Sequence, residues 1–287
     1  MSPQRVAITS SDDPRVNDIR DLNSSDKRPD LPGGRGLVVA EGPLVVGRLL
    51  ESAYPVRQIV GFPHKLDDFL SENEVPADIP IYEVSRELLA EVAGFDMHRG
   101  LLATADRIEQ LSPEQVLDGA STVMVLEGVG DHENIGAMFR NVAGLGIDGV
   151  LFGSGCADPL YRRSVRVSMG HVLRVPWARL EGTYTTWQRS LDVLRERGFR
   201  LISLTPDPGA AHLAQALRDE EGRPWEKVAL LVGAEGPGLT EHAMKATDVR
   251  ARIPMAPHTD SLNVATSAAV ACWERVRLRG LDEEAGA

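Results

Sequence analysis

Long apolar runs are missing from this 287-residue chain. No stretch of about 18 apolar residues occurs, so no membrane-spanning helix is expected. The opening segment, MSPQRVAITSSDDPRVND, has no apolar core and does not read as a secretory signal. Cysteine is scarce: Cys156 and Cys272 stand far apart, in no metal or redox spacing. A disulfide framework and a cysteine-based metal site are therefore not expected, and a reduced cytoplasmic setting is. Positive charge is in deficit too. The formal net charge is −11, which counts against a phosphate-rich partner unless basic residues are concentrated locally. They are: Arg162, Arg163, Arg166, Arg174 and Arg179 follow one another with no acidic residue between them. Such an island is either a solvated surface or an anion contact. No repeat of fixed period is found.

With 43% hydrophobic and 25% charged residues, the composition is globular and can supply a sizeable core. The length suits one large domain or two ordinary ones. Residues 1–36 are polar, with Asp, Ser, Pro and Gly clusters, and the stretch NSSDKRPDLPGGRG within them reads as an exposed, mobile loop carrying Lys27, Arg28 and Arg35. Beyond them, LVVAE is a strand, with a helix opening at Gly42–Pro43, where proline suits the first turn. VRQIVGF and PIYEV read as strands, with a helix over Arg86–Ala93. This alternation predicts a small α/β domain over 1–107. A polar linker spans 108–120. From 121 to 287 the pattern resumes. STVMVLEGV, GVLFG, FRLISLT, KVALLVG and VRARIPM are strands. Helices fall at Ile135–Leu145, over TYTTWQRSLDVLRERG, over EHAMKATD and over LNVATSAAVACWERVRLRG. Repeated β/α alternation predicts a largely parallel sheet covered on both faces.

Gly144, Gly146 and Gly149 spell G-x-G-x-x-G. They follow a helix and precede a strand, the reverse of the order a dinucleotide fingerprint requires. A helix end and a turn account for them. This leaves a nicotinamide oxidoreductase with little support.

Three segments carry chemistry. In DHENIGAMFRNVAGLG, Asn134 sits at a strand-to-helix junction, where polar side chains often cap helices, and Arg140 lies in the helix body. In LLVGAEGPGLTEH, an apolar strand runs into Gly233, Glu235, Gly236 and Gly238, where glycine lets backbone approach a ligand. In ARIPMAPHTDSLNVATSAAVACWE, Ser261 and Asn263 flank Leu262 at the start of an Ala-rich helix. Each segment alone is explained by a cap, a turn or a surface salt bridge.

In this order the three resemble the motifs of the SpoU/TrmH family of SPOUT methyltransferases: N-x-G-x-x-x-R, G-x-E-x-x-G-L, and I-P-M followed by S-L-N-V. The resemblance runs from about Val123 to Arg277. More loosely, VAEGPLVVGRLLES and FDMHRGLLATADR resemble the family's L30e-like RNA-binding extension.

The resemblance implies a C-terminal α/β knot domain with a largely parallel sheet, preceded by a small α/β L30e-like domain, and a trefoil knot of the kind that breaks the usual connection rules. It implies an S-adenosylmethionine-dependent RNA methyltransferase acting on a ribose 2′-hydroxyl of rRNA or tRNA, working as a homodimer. Gly233, Ile253 and Leu262 would hold the cofactor, with Thr205 and Met255 beside them. Asn134, Arg140, Glu235, Ser261 and Asn263 would form the catalytic set. Arg162, Arg163 and Arg166, with Arg28 and Arg35, would contact RNA. The alternatives are a non-catalytic RNA-binding or ribosome-assembly protein that keeps the fold, and a related enzyme that methylates a base nitrogen.

Overall fold

A computed structural model describes residues 5–22, 36–256 and 259–280. The chain forms two units, Met1–Glu109 with Pro159–Arg174, and Gln110–Asp158 with Val175–Ala287.

In the first unit the chain runs β1 (Arg5–Ala7), β2 (Val38–Glu41), α1 (Pro43–Leu50), β3 (Val56–Gly61), α2 (Pro63–Glu72), β4 (Ile81–Glu83), α3 (Arg86–Ala93) and β5 (Leu101–Ala105). The sheet order is β1-β4-β3-β5-β2. β1, β4 and β3 are parallel, while β5 is antiparallel to both β3 and β2. Local chemistry sets the helix ends. Pro43 stands in the first turn of α1, Ser85 Oγ accepts from Leu88 N at the start of α3, and Gly94 closes α3 in the left-handed region. Val39, Val60, Leu89, Val92 and Leu102 meet in its core with Val16, Ile19 and Leu22. β1 and β5 lie outside the strands read from sequence. A three-residue strand such as β1 is too short to show an alternation.

In the second unit the order is α4 (Pro113–Leu117), β6 (Thr122–Glu127), α5 (His132–Gly144) and β7 (Gly149–Phe152). After an excursion through α6 (Arg162–Val167), which belongs to the first unit, come β8 (Trp177–Arg179), α7 (Asp192–Arg195), β9 (Arg200–Leu204), β10 (Ala211–His212), α8 (Leu213–Ala216), β11 (Val228–Gly233), α9 (Glu241–Lys245), β12 (Val249–Arg252) and α10 (Val264–Leu278). Seven strands in the order β10-β12-β9-β11-β6-β7-β8 form one sheet, every pair of it parallel. β6, β7 and β11 are buried at every position, as strands covered on both faces must be. On one face Val123, Val125, Leu151 and Leu231 pack with Trp187, Leu191 and Leu194. Elsewhere Phe139 of α5 lies 6.1 Å from Phe152 of β7, which meets Trp177 edge-on at 5.8 Å.

Two local expectations are corrected. The helix expected over TYTTWQRSLDVLRERG is a 3₁₀ turn, Trp187–Leu191, followed by the single turn of α7. Thr183 N donates to Thr186 Oγ1, and the fully buried Trp187 is held by its indole N–H on Glu127, so the segment starts late. β8 and β10 were not read from sequence, being three and two residues long. Asn134 is not a helix cap; Asp131 caps α5 through Glu133 N. The glycine triplet is a helix end and turn: α5 stops at Gly144, Gly146 has φ +63°, and β7 begins at Gly149.

α10 is anchored by a fully buried Arg275. Its Nη2 donates to Glu226 O at 2.8 Å, its Nε to Thr122 Oγ1 at 3.0 Å, and its Nη1 to Trp225 O. Desolvation pulls its pKa down to about 10, so it stays charged at neutral pH.

Candidate functional site

β12, β9 and β11 lie side by side and parallel, so their C-terminal ends open together. That edge is where open α/β sheets bind ligands. A cleft of about 250 Å³ lies there. Its walls come from Leu204–Pro206 after β9, Val232–Gly236 with Gly238 at the end of β11, Ile253 and Met255 after β12, and Ser261–Val264 with Ser267 at the start of α10.

The loop after β11 is tightly folded. A Cβ on Gly233 would stand 2.1 Å from Gly238 C and from Leu239 N, so only glycine fits there. Gly238 N donates to Ala234 O at 2.9 Å, and Gly236 and Gly238 turn the chain with φ of +86° and +70°. Glu127, buried at the end of β6, ties down the far side. Its carboxylate accepts from Thr240 N (2.7 Å), Thr240 Oγ1 (2.9 Å) and Trp187 Nε1 (2.8 Å). Thr240 in turn caps α9 through Ala243 N.

Asn263 joins the motifs. Its Oδ1 accepts from Ala265 N at 2.9 Å and Thr266 N at 3.1 Å, capping α10. Its Nδ2 donates to Asn134 Oδ1 at 2.9 Å and to Glu235 Oε1. Two turns along α5 from Asn134, Asn141 Nδ2 donates to Ala265 O at 3.0 Å. One polar stripe of α5 thus grips the start of α10.

Eight of the expected residues line this cleft: Thr205, Gly233, Glu235, Ile253, Met255, Ser261, Leu262 and Asn263. Asn134 is joined to it through Asn263. Arg140 is exposed on α5, makes no hydrogen bond or ion pair among the described residues, and is not part of the cleft lining. Glu127, Asn141 and Thr240 were missed. The seven-residue spacing from Asn134 to Asn141 could have flagged the second asparagine; nothing local flags the other two.

The arginine island is more engaged than its charge suggests. In the first unit Arg162 Nη1 pairs with Glu41 at 2.6 Å, with side chains 13% and 5% exposed, and Arg166 Nη1 lies 3.7 Å from the same carboxylate. Arg162 also packs over Phe95 at 4.8 Å, and Arg174 pairs with Glu51 at 3.5 Å. Arg163 is exposed. Arg28 and Arg35 lie outside the described residues.

Neither thiol is suited to nucleophilic work: burial pushes Cys156 up to about 11 and Cys272 up to about 12. Among the described residues no helix is long and apolar enough to cross a membrane, and no group of three or more His, Cys, Asp or Glu could hold a metal ion.

The SpoU rRNA Methylase family model matches residues 121–273. An uncharacterised tRNA/rRNA methyltransferase of Mycobacterium tuberculosis is 52% identical over 270 residues, which is 94% of this chain and 91% of that protein. A 23S rRNA (guanosine-2′-O-)-methyltransferase, RlmB, of Ralstonia nicotianae is 31% identical over 221 residues, 76% of this chain and 84% of that one. The crystal structure of an AdoMet-bound rRNA methyltransferase from Sinorhizobium meliloti shares the fold, with a TM-score of 0.75 at 23% identity, covering 95% of this chain and 98% of that one.

Proposed function

The chain belongs to the SpoU rRNA methylase family, and on that premise we propose that it methylates a ribose 2′-hydroxyl of ribosomal or transfer RNA, with S-adenosylmethionine as donor. One observation carries the reading. The cleft at the ends of β9, β11 and β12 gathers Gly233, Glu235, Ile253, Leu262 and Asn263, and Asn134 is hydrogen-bonded into it. The residues present suit the cofactor. Leu204, Val232, Ile253, Met255, Leu262 and Val264 offer apolar walls for a purine and a thioether. Thr205, Ser261, Asn263 and the Glu235 carboxylate offer polar anchors, the last suited to a cationic end.

Bound there, S-adenosylmethionine supplies an electrophilic methyl group on a sulfonium. The protein's part is to orient and to exclude water. The apolar walls favour the loss of charge that accompanies transfer. Asn263 fixes Glu235 and Asn134 relative to the start of α10. A guanidinium is a poor general base, so the 2′-hydroxyl proton passes to the neighbouring phosphate or to water and not to Arg140. Arg140 stabilises the charge developing on the ribose oxygen or grips the neighbouring phosphate.

The first unit serves as an L30e-like RNA-binding domain and the second as the methyltransferase domain; the stretch expected as a linker over 108–120 is not one, since its α4 buries Val116 and Leu117 in the second unit's core. Of the arginine island, Arg162, Arg163 and Arg166 are the RNA contacts, Arg162 and Arg166 from their pairing with Glu41. The protein works as a homodimer in the cytoplasm. Val270 and Trp273, exposed on α10, are apolar surface suited to a second copy.

Arg140→Ala tests the assignment. Methyl transfer from labelled S-adenosylmethionine to RNA should fall about 100-fold or more. Cofactor affinity measured by calorimetry should stay nearly unchanged. Normal turnover in this variant removes Arg140 from the mechanism.

A further inference from the structure

The first unit contains a polar groove, separate from the cleft in the second unit. Its volume of about 470 Å³ falls in the range of about 300–1,000 Å³ usual for small-molecule sites. We propose that it receives one unpaired RNA base. The proposal rests on the RNA-methyltransferase reading above and adds a substrate-recognition site to it.

The groove is lined by Arg15, Asp18, Arg57, Gln58, Tyr82 and Asp106, among others. Gln58 is only 5% exposed, and its Nε2 has no hydrogen-bond partner. Thr104, its register partner on β5, is fully buried and its hydroxyl is also unpartnered. Buried polar groups without partners are rare, because each has lost its water and gained nothing. At a groove, such a group is a donor awaiting an acceptor. At this spot β3 carries a register shift between Val56 and Gln58. Bulges of this kind re-aim side chains.

The charges select the ligand. Arg57 Nε donates to Asp18 Oδ2 at 2.7 Å and its Nη1 to Asp106 Oδ1 at 3.1 Å. Arg15 is held by Asp13 through two side-chain bonds of 2.9 and 2.6 Å. Both cations are thus already matched by carboxylates, and a phosphate would meet Asp18 and Asp106 as well. A neutral ligand is favoured over an anion. Gln58 asks that ligand for an acceptor. The half-exposed Asp106 carboxylate offers that ligand an acceptor for an N–H donor. Arg15 lies over the Tyr82 ring, 5.8 Å from its centroid, and both line the groove; a guanidinium and a phenol ring are each flat groups on which a base can stack. A nucleobase carries acceptors and N–H donors on one edge and a flat face, and single-stranded RNA bases are recognised in this way.

Gln58→Leu keeps the bulk and removes the amide. The expected variant melts no lower than the parent, since an unmet donor is gone, and binds RNA roughly five- to tenfold more weakly. A melting point several degrees lower would mean that the amide holds an internal water as part of the fold, and would overturn the proposal. A stable variant with unchanged RNA affinity would overturn it equally. The second measurement follows the side-chain amides of ¹⁵N-glutamine-labelled protein by NMR, against the four nucleoside 5′-monophosphates and inorganic phosphate. The Gln58 signal should move with at least one base and not with phosphate; an equal response to phosphate would refute a base site. Methyl transfer by the unaltered protein to cellular RNA is scored in parallel. Transfer with a silent Gln58 sinks the groove and spares the enzyme. A responsive Gln58 without transfer supports the groove and sinks the enzyme.

Discussion

Asn263 does two jobs with one amide. Its oxygen caps α10, and its nitrogen joins Asn134 to Glu235. Asn263→Ala should therefore destabilise the fold by about 2–3 kcal/mol, combining a lost cap with the unmet carbonyl of the buried Asn134. Asn263→Ser restores a capping oxygen but not the long donor. It should recover most of the stability in urea unfolding and still bind S-adenosylmethionine weakly by calorimetry. Equal recovery of both would reduce Asn263 to a cap. At this scale the sequence was informative where a residue type is forced by chemistry. Gly233, Glu235 and Asn263 stand out as motif, and eight of the expected residues line one cleft. It was uninformative where a partner is distant in the chain. Glu41 reaches Arg162 across more than a hundred positions, so a count of nearby charges made Arg162 look like a free cation. Glu127 and Thr240 escaped for the same reason: what makes Glu127 matter is a loop that closes over it from β11.

Among the elements, α6 shows how a short segment can be committed by one ion pair. Its Arg162 and the Glu41 that ends β2 are both nearly buried and belong to one unit. Breaking this pair leaves the buried Glu41 carboxylate with only the longer 3.7 Å contact to Arg166. Arg162→Ala should cost about 3 kcal/mol in unfolding free energy. Arg163→Ala, at an exposed site, should cost less than about 1 kcal/mol. If both variants unfold alike, the pair is not what holds α6. Longer elements were legible because their apolar periods repeat: α3 begins and ends where its Ser85 cap and Gly94 stop place it. β8, β10 and the Trp187–Leu191 turn were not. Their conformation is imposed by neighbouring strands and by the Trp187 anchor on Glu127, not by a local pattern.

For the molecule as a whole, alternation of strands and helices is enough to expect a parallel sheet, and the sheet of the second unit is parallel throughout. The order of its strands is another matter. β12, β9 and β11 are neighbours although the chain visits them in a different sequence, and no local pattern encodes that arrangement. Yet it is this order that brings the loops after residues 204, 233 and 252 to one edge. The polar stripe of α5 then adds Asn134 from a segment more than a hundred residues earlier. The cleft is a consequence of topology, and the motifs are its local imprint.

The most direct test supplies the protein with S-adenosylmethionine carrying a labelled methyl group and with RNA from cells lacking this protein. The RNA is then digested to nucleosides. Label should appear on the 2′-oxygen of a single nucleoside type. Label on a base nitrogen, or none at all from protein shown to bind the donor, would contradict ribose methylation.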